Sequence, residues 1–205
     1  MKIFAITDNY YGGDPAGAEG PGWRFLPDSA VFRAPNPHFL EDERSSAGAF
    51  PTLAVRIDRL GKSIAPRFAS RYTGHVAIAV NIRDLDTEER LRRSGLPIDP
   101  AWGYDRSLLL SDWFEVPFDS IAEAEVSVSL SEGAVLVWRA SELTVGLSGV
   151  IEAVSRTNLL KMGDIILPGF HRNGLALSPD RMLKATLRLP GADGRLEESI
   201  EIPIR

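Results

Sequence analysis

The sequence predicts an α+β domain that is mostly β: a mixed β-sandwich with a barrel-like roll and short helices at its edge. Three observations predict it. Apolar and polar residues alternate through residues 124–130, with Val126, Val128 and Leu130 on one face and Glu125, Ser127 and Ser129 on the other. A hairpin closes the chain, residues 182–189 returning as 195–202 through a Gly191-Ala-Asp-Gly194 turn. The helical patterns are few and short, at 64–72, 86–94 and 148–156. With 205 residues, no internal repeat and no linker, the chain reads as one domain, 1–205. That is long enough to bury roughly 70–75% of its unfolded surface.

Taken in order, residues 3–6 are a short apolar run that Asp8 breaks, too short for a signal peptide's apolar region and suited to a buried strand. Residues 9–22 hold five glycines and two prolines, which cannot sustain a helix and read as loop. The end of 23–32 reads as strand. A second long loop, 33–49, carries the acidic patch Glu41-Asp42-Glu43; two such loops this early mark a rim or a lid.

Residues 50–104 are the most strongly patterned stretch. A strand at 53–58 and a turn at 59–62 lead to a helix at 64–72. Pro66 falls in its first turn, and Ile64, Phe68 and Tyr72 share one face. A strand at 75–81 precedes a charged helix at 86–94. Asp86-Thr-Glu-Glu89 has the form of a capping box there, and Glu88–Arg92 and Glu89–Arg93 are favourable i, i+4 pairs. Gly95 and Pro97 end that helix. After Trp102-Gly-Tyr-Asp105 the chain turns mostly to strand: 124–130, a turn at 131–133 and a partner at 135–138. The helix at 148–156 turns Val150, Ile151 and Val154 inward, and Lys161-Met-Gly-Asp164 leads into a strand at 165–167.

Charge and composition exclude several classes. A formal net charge of −5 gives no basic footprint for nucleic acid, and no run reaches the length of a membrane span. With no cysteine there is neither a disulfide framework nor thiolate chemistry. The expected location is cytoplasmic. Gly146-Leu-Ser148-Gly149 lacks the spacing of a nucleophile elbow, and the glycines at 12–13 and 20–22 do not follow the strand–helix pattern of a phosphate loop. His75 begins a strand and His171 lies in a Gly/Asn loop, neither beside a recognisable nucleophile.

Several segments together resemble the fumarylacetoacetate hydrolase superfamily. Residues 1–10 resemble its opening strand and Asn-Tyr turn, and Pro27-Asp-Ser-Ala30 resembles its Lys-Pro-x-Ser segment. Leu53-Ala-Val-Arg-Ile57 stands where the family has a strand led by Glu-x-Glu. Gly95-Leu-Pro97 with Gly103-Tyr-Asp105 resembles the segment ending Lys-Gly-Phe-Asp. Leu160-Lys-Met-Gly-Asp-Ile-Ile-Leu167 resembles Leu-x-x-Gly-Asp-Leu-Ile ahead of Thr-Gly-Thr-Pro. The order and spacing match over nearly the whole chain.

The resemblance implies a Mg²⁺ or Mn²⁺ held by the two glutamates and an aspartate of the next strand. A lysine beside the metal and a His-Glu pair on the first loop would act on small oxo-acids, usually in a homodimer. Residue by residue this chemistry does not carry over. The Glu-x-Glu positions fall on Phe50 and Thr52, the Asp position on Asn81 and the Lys on Trp102. Leu26 precedes Pro27, Leu167-Pro-Gly-Phe170 replaces the Thr-Gly-Thr-Pro loop, and a glycine-rich loop replaces the His-Glu segment. Phe and Thr offer no anionic oxygen, and a lone neutral Asn cannot hold a cation that dehydrates as reluctantly as Mg²⁺.

Other carboxylate sets have simpler uses. Asp86 reads as a cap, Asp84 as a partner of Arg83 or Arg71, and Glu41-Asp42-Glu43 beside His38 as a solvated loop. The expected pocket positions are therefore Phe50, Thr52, Asn81, Trp102 and Asp105, with no catalytic residue, metal ligand or cofactor among them. The expected function is a non-catalytic dimeric protein of this superfamily that binds a partner, a small carboxylate or an apolar ligand. The alternative is a Mg²⁺- or Mn²⁺-dependent hydrolase, decarboxylase or isomerase of small oxo-acids that uses substitute ligands such as Asp84 or Asp105.

Overall fold

A computed structural model describes residues 1–10, 21–40, 46–131, 133, 135–191 and 194–205. The glycine-rich part of the first loop, the acidic patch 41–43, and Glu132, Ala192 and Asp193 of the two turns lie outside the described residues. The elements in chain order are β1 (Ile3–Thr7), β2 (Gly22–Leu26), β3 (Val31–Phe32), β4 (Ala47–Arg56), β5 (His75–Asp84), α1 (Leu85–Arg93) and α2 (Asp99–Trp102). Then come β6 (Leu108–Leu110), β7 (Phe114–Glu115), β8 (Glu125–Leu130), β9 (Val135–Arg139), α3 (Leu147–Thr157), β10 (Ile165–Leu167), β11 (Leu175–Ala176), β12 (Arg181–Gly191) and β13 (Gly194–Ile204).

Two sheets form, as an α+β, mostly β chain requires. The larger is nine-stranded and mixed, ordered β2-β1-β10-β4-β5-β6-β3, with β11 also on β4 and β7 on β5. The smaller is antiparallel, β13-β12-β8-β9. Val126, Val128 and Trp138 of the small sheet pack against Leu53, Val55, Val76, Ile78, Val80 and Ile82 of the large one. Each of these large-sheet residues alternates with a neighbour that faces the other way. Phe50, Ala54, Ala77 and Ala79 look outward to a second apolar layer formed with α1, α2 and the chain at 165–170. Branched residues thus fill the space between sheets, and alanines let the flanking layer come close. A third layer lies under α3, where Val150, Ile151 and Val154 meet Phe4, Ile6 and Ile57.

Three sequence expectations change. The strand expected at 53–58 begins at Ala47, so residues 47–49 leave the second loop and Phe50 and Thr52 lie within a strand. Pro51 is tolerated because β4 pairs with β11 only at Gly48–Ala49 and with β10 only at Val55–Arg56; between them that edge has no strand to bond among the described residues. Thr52 Oγ1 donates instead to the Gly169 carbonyl at 2.7 Å. The helix expected at 64–72 is a 3-10 segment, Pro66–Arg71, with Tyr72 N–H bonded to the Ala69 carbonyl. Ile64 does not join it, because Ala65, ahead of Pro66, is extended (φ −70°, ψ 145°), and the Ile64 N–H donates instead to Ser155 Oγ of α3. Finally, β5 runs on to Asp84, so α1 starts at Leu85 and Asp84, not Asp86, is its cap: Asp84 Oδ1 accepts from Thr87 N–H at 2.9 Å.

Candidate functional site

β4 and β5 pair so that Phe50 lies opposite Asn81. Asn81 and Arg83, two residues apart, share the outward face of β5. Three aromatic rings from different parts of the chain meet the Arg83 guanidinium. Its central carbon lies 3.3 Å from the ring centroid of Trp102 on α2, 3.9 Å from Phe50 on β4 and 4.5 Å from Phe170 on the loop after β10. Trp102 and Phe170 meet edge to face, with centroids 5.5 Å apart. A planar, weakly hydrated cation suits such a box, because the negative faces of the rings replace part of its hydration.

Polar groups lock the box. Arg83 Nε donates to Asn81 Oδ1 at 2.8 Å, and Asn81 Nδ2 donates to the carbonyls of Trp102 and Ser107. Ser107 Oγ donates to the same Trp102 carbonyl. Trp102 Nε1 donates to Glu88 Oε2, while Glu88 Oε1 accepts from Arg92 Nη2. Arg24, ion-paired with Asp99, lies 5.7 Å from the Trp102 centroid and adds a second cation to that ring. Arg83 is 4% exposed. Burial pushes its guanidinium down to about 9, with Glu88 pulling it up and Arg24 and Arg92 pushing it down. It therefore remains a cation at neutral pH. Its Nη2 and Arg24 Nε are buried and find no acceptor among the described residues.

Arg83 lines a cavity of about 470 Å³ with Arg24, Arg92 and Arg172, against two acids, Asp8 and Glu88. The size is that of an ordinary small-molecule site, and among the described residues on its wall cations outnumber acids.

Of the expected pocket positions, the structure brings Phe50, Asn81 and Trp102 together. Thr52 lies beside them, fully buried, its hydroxyl spent on Gly169. Asp105 does not join: it is exposed after α2. Asp84 caps α1, Asp86 is exposed, and His38 is buried against Phe32. His75 Nδ1 lies 2.9 Å from Asp58 Oδ2. Among the described residues no three His, Cys, Asp or Glu side chains converge as metal ligands. Sequence reasoning missed Arg83 as the centre of the site. The available signal was its spacing, since a residue at i+2 from Asn81 on a strand must face the same way.

No family model matches the chain, and no curated protein matches it. Solved structures do. Fumarylpyruvate hydrolase from Pseudomonas aeruginosa, solved with Mn²⁺ and pyruvate, superposes with a TM-score of 0.83 at 17% identity, covering 100% of this chain and 89% of that one. The 5-carboxymethyl-2-hydroxymuconate delta-isomerase of Mycobacterium smegmatis gives 0.81 at 20% identity, covering 99% and 78%. The 2-hydroxyhepta-2,4-diene-1,7-dioate isomerase of Mycobacterium marinum gives 0.80 at 20% identity, covering 99% and 73%. The fold is that of the fumarylacetoacetate hydrolase family, whose hydrolases and isomerases are this chain's structural neighbours.

Proposed function

We propose that the chain is a divergent member of the fumarylacetoacetate hydrolase superfamily in which a guanidinium stands where its relatives hold a divalent cation. On this reading it is a non-catalytic, dimeric protein that binds a small carboxylate. The observation that carries the proposal is Arg83 boxed by Phe50, Trp102 and Phe170. The residues around it do not fit a divalent metal. The acceptor oxygen of Asn81 is taken by Arg83 Nε, Phe50 and Trp102 offer no oxygen donor from their side chains, and a fixed positive charge repels a second cation. No metal-assisted step is therefore assigned to this site. The unpartnered Nη2 of Arg83 supports an anionic ligand, since a buried N–H without an acceptor costs about 1–3 kcal/mol that a carboxylate oxygen would recover.

Calorimetric titration with Mn²⁺ is expected to show no stoichiometric micromolar binding, whereas malonate or oxaloacetate is expected to bind the metal-free protein. Arg83→Met should abolish the carboxylate heat. Turnover of oxaloacetate or acylpyruvates with excess Mn²⁺, lost in Asp84→Asn or Asp105→Asn, would overturn the reading. A gain-of-metal variant carries a further condition. Phe50→Glu, Thr52→Glu and Asn81→Asp together should gain Mn²⁺ affinity only when Arg83→Met is added, because Arg83 otherwise neutralises the new carboxylates.

A further inference from the structure

On the other side of the large sheet a separate cavity of about 430 Å³ opens between the sheets and α3. Leu53, Ile121, Leu143, Leu147 and Pro168 make its walls apolar. Two polar features border it. Trp138, 0% exposed, lines the cavity, and its Nε1 finds no acceptor among the described residues. The amino end of the eleven-residue α3 also lines it, through Gly146, Ser148 and Gly149. The Gly149 N–H bonds back to the Gly146 carbonyl, whereas the first two amides, those of Leu147 and Ser148, have no intrahelical acceptor, and Gly146 at the cap has no side chain to satisfy them. That end carries partial positive charge. The acidic residue on the rim, Asp119, is exposed to water.

The frame around these donors is fixed. Buried Asn9 donates to the carbonyls of Val145 and Pro168 and accepts from the Val145 N–H, tying β1's exit to both walls. Tyr10 stacks near Trp138, accepts from Arg139 N–H and donates to Glu142. Burial, with the Glu142 hydrogen bond, drives the Tyr10 hydroxyl well above its usual range, so it stays a neutral donor that holds the strand beside Trp138.

We infer that this cavity is a binding site for a small, mostly apolar carboxylic acid, its tail between Leu53, Ile121 and Leu147 and its carboxylate accepting from Trp138 Nε1 and the first amides of α3. An apolar tail recovers burial free energy along the walls, and the carboxylate satisfies an indole N–H that otherwise goes unpaired in a dry setting. The site is independent of the Arg83 box.

The test uses the whole chain labelled with ¹⁵N and octanoate as the probe. The Trp138 indole cross-peak, assigned by its loss in Trp138→Phe, should move saturably with octanoate and much less with octanamide, which lacks the charge that α3's amino end favours. Trp138→Phe puts a smaller aromatic ring in place of the indole and deletes the donor, and should weaken octanoate binding roughly three- to tenfold by calorimetry. Ala140→Leu fills the cavity and should abolish binding while the circular dichroism of both variants stays native. An unmoved indole signal at millimolar octanoate, equal affinity for octanamide, or full affinity in Ala140→Leu would each overturn the inference. So would a Trp138 signal that shifts with protein concentration alone, which would place a second copy of the chain over the cavity.

Discussion

Arg83 brings a charge into a place whose other walls are aromatic, and only a flat cation can meet three rings at once. Lysine at 83 would keep the charge and lose the stacking plane, together with the Nε donor to Asn81. Arg83→Lys is expected to lower stability by about 2 kcal/mol, read as a lower urea midpoint at unchanged slope. The sequence showed half of this arrangement. That Phe50, Asn81 and Trp102 should meet followed from a resemblance carried over position by position. That a cation should sit among them did not, because in the sequence Arg83 stood only as a candidate partner of Asp84. Burial of an arginine is a tertiary fact: the rings that shelter it come from β4, α2 and the chain after β10, separated by long stretches of sequence.

At the scale of elements, local rules located most of the pieces and misplaced their edges. The helix α1 carries the two expected i, i+4 ion pairs, Glu88–Arg92 and Glu89–Arg93, and stops before Gly95 in the left-handed region at φ 65°. Its cap moved by two residues, from Asp86 to Asp84, because β5 stays paired with β4 as far as Asp84, so that the cap is the last strand residue. Asp84→Ala should therefore cost about 1 kcal/mol or more, and Asp86→Ala, exposed and inside the helix, less than about 0.5 kcal/mol. Thermal denaturation of the two variants separates the assignments. Pro51 stands inside β4, and nothing in the local sequence tells that β10 and β11 leave a gap opposite it.

For the molecule as a whole, Asp164 joins its first and last thirds. It accepts from the backbone N–H of Lys2 and of Lys161 and pairs with Lys2 Nζ at 2.8 Å. Burial alone would raise its carboxyl; these hydrogen bonds, with the Lys2 charge, outweigh it and hold the group below its ordinary 3.8. The stability this contributes is fully present above that value and lost as the pH falls through the lower folded one. Urea midpoints should thus drop as the pH falls below about 4, and Asp164→Asn should flatten that drop while lowering stability at pH 7. Asp58, held low against its burial by His75 and Arg56, adds to the same acid limb. Assembly is tested at this scale too: sedimentation at micromolar concentration is expected to give a dimer, and a monomer would remove that part of the proposed function.

The seam that Asp164 closes has a consequence for how the chain comes into being. β1 sits inside the large sheet, antiparallel to β2 on one edge and parallel to β10 on the other, so Ile3 waits for Ile165. On a ribosome the first strand is made long before its inner neighbour. Until then it can only pair with β2 and expose its other edge, a template for wrong partners. Closing so long a loop comes late and slowly compared with local hairpins such as β12–β13. Nascent chains halted before residue 165 should therefore remain protease-sensitive throughout β1, and protection should arrive in one step once β10 has emerged.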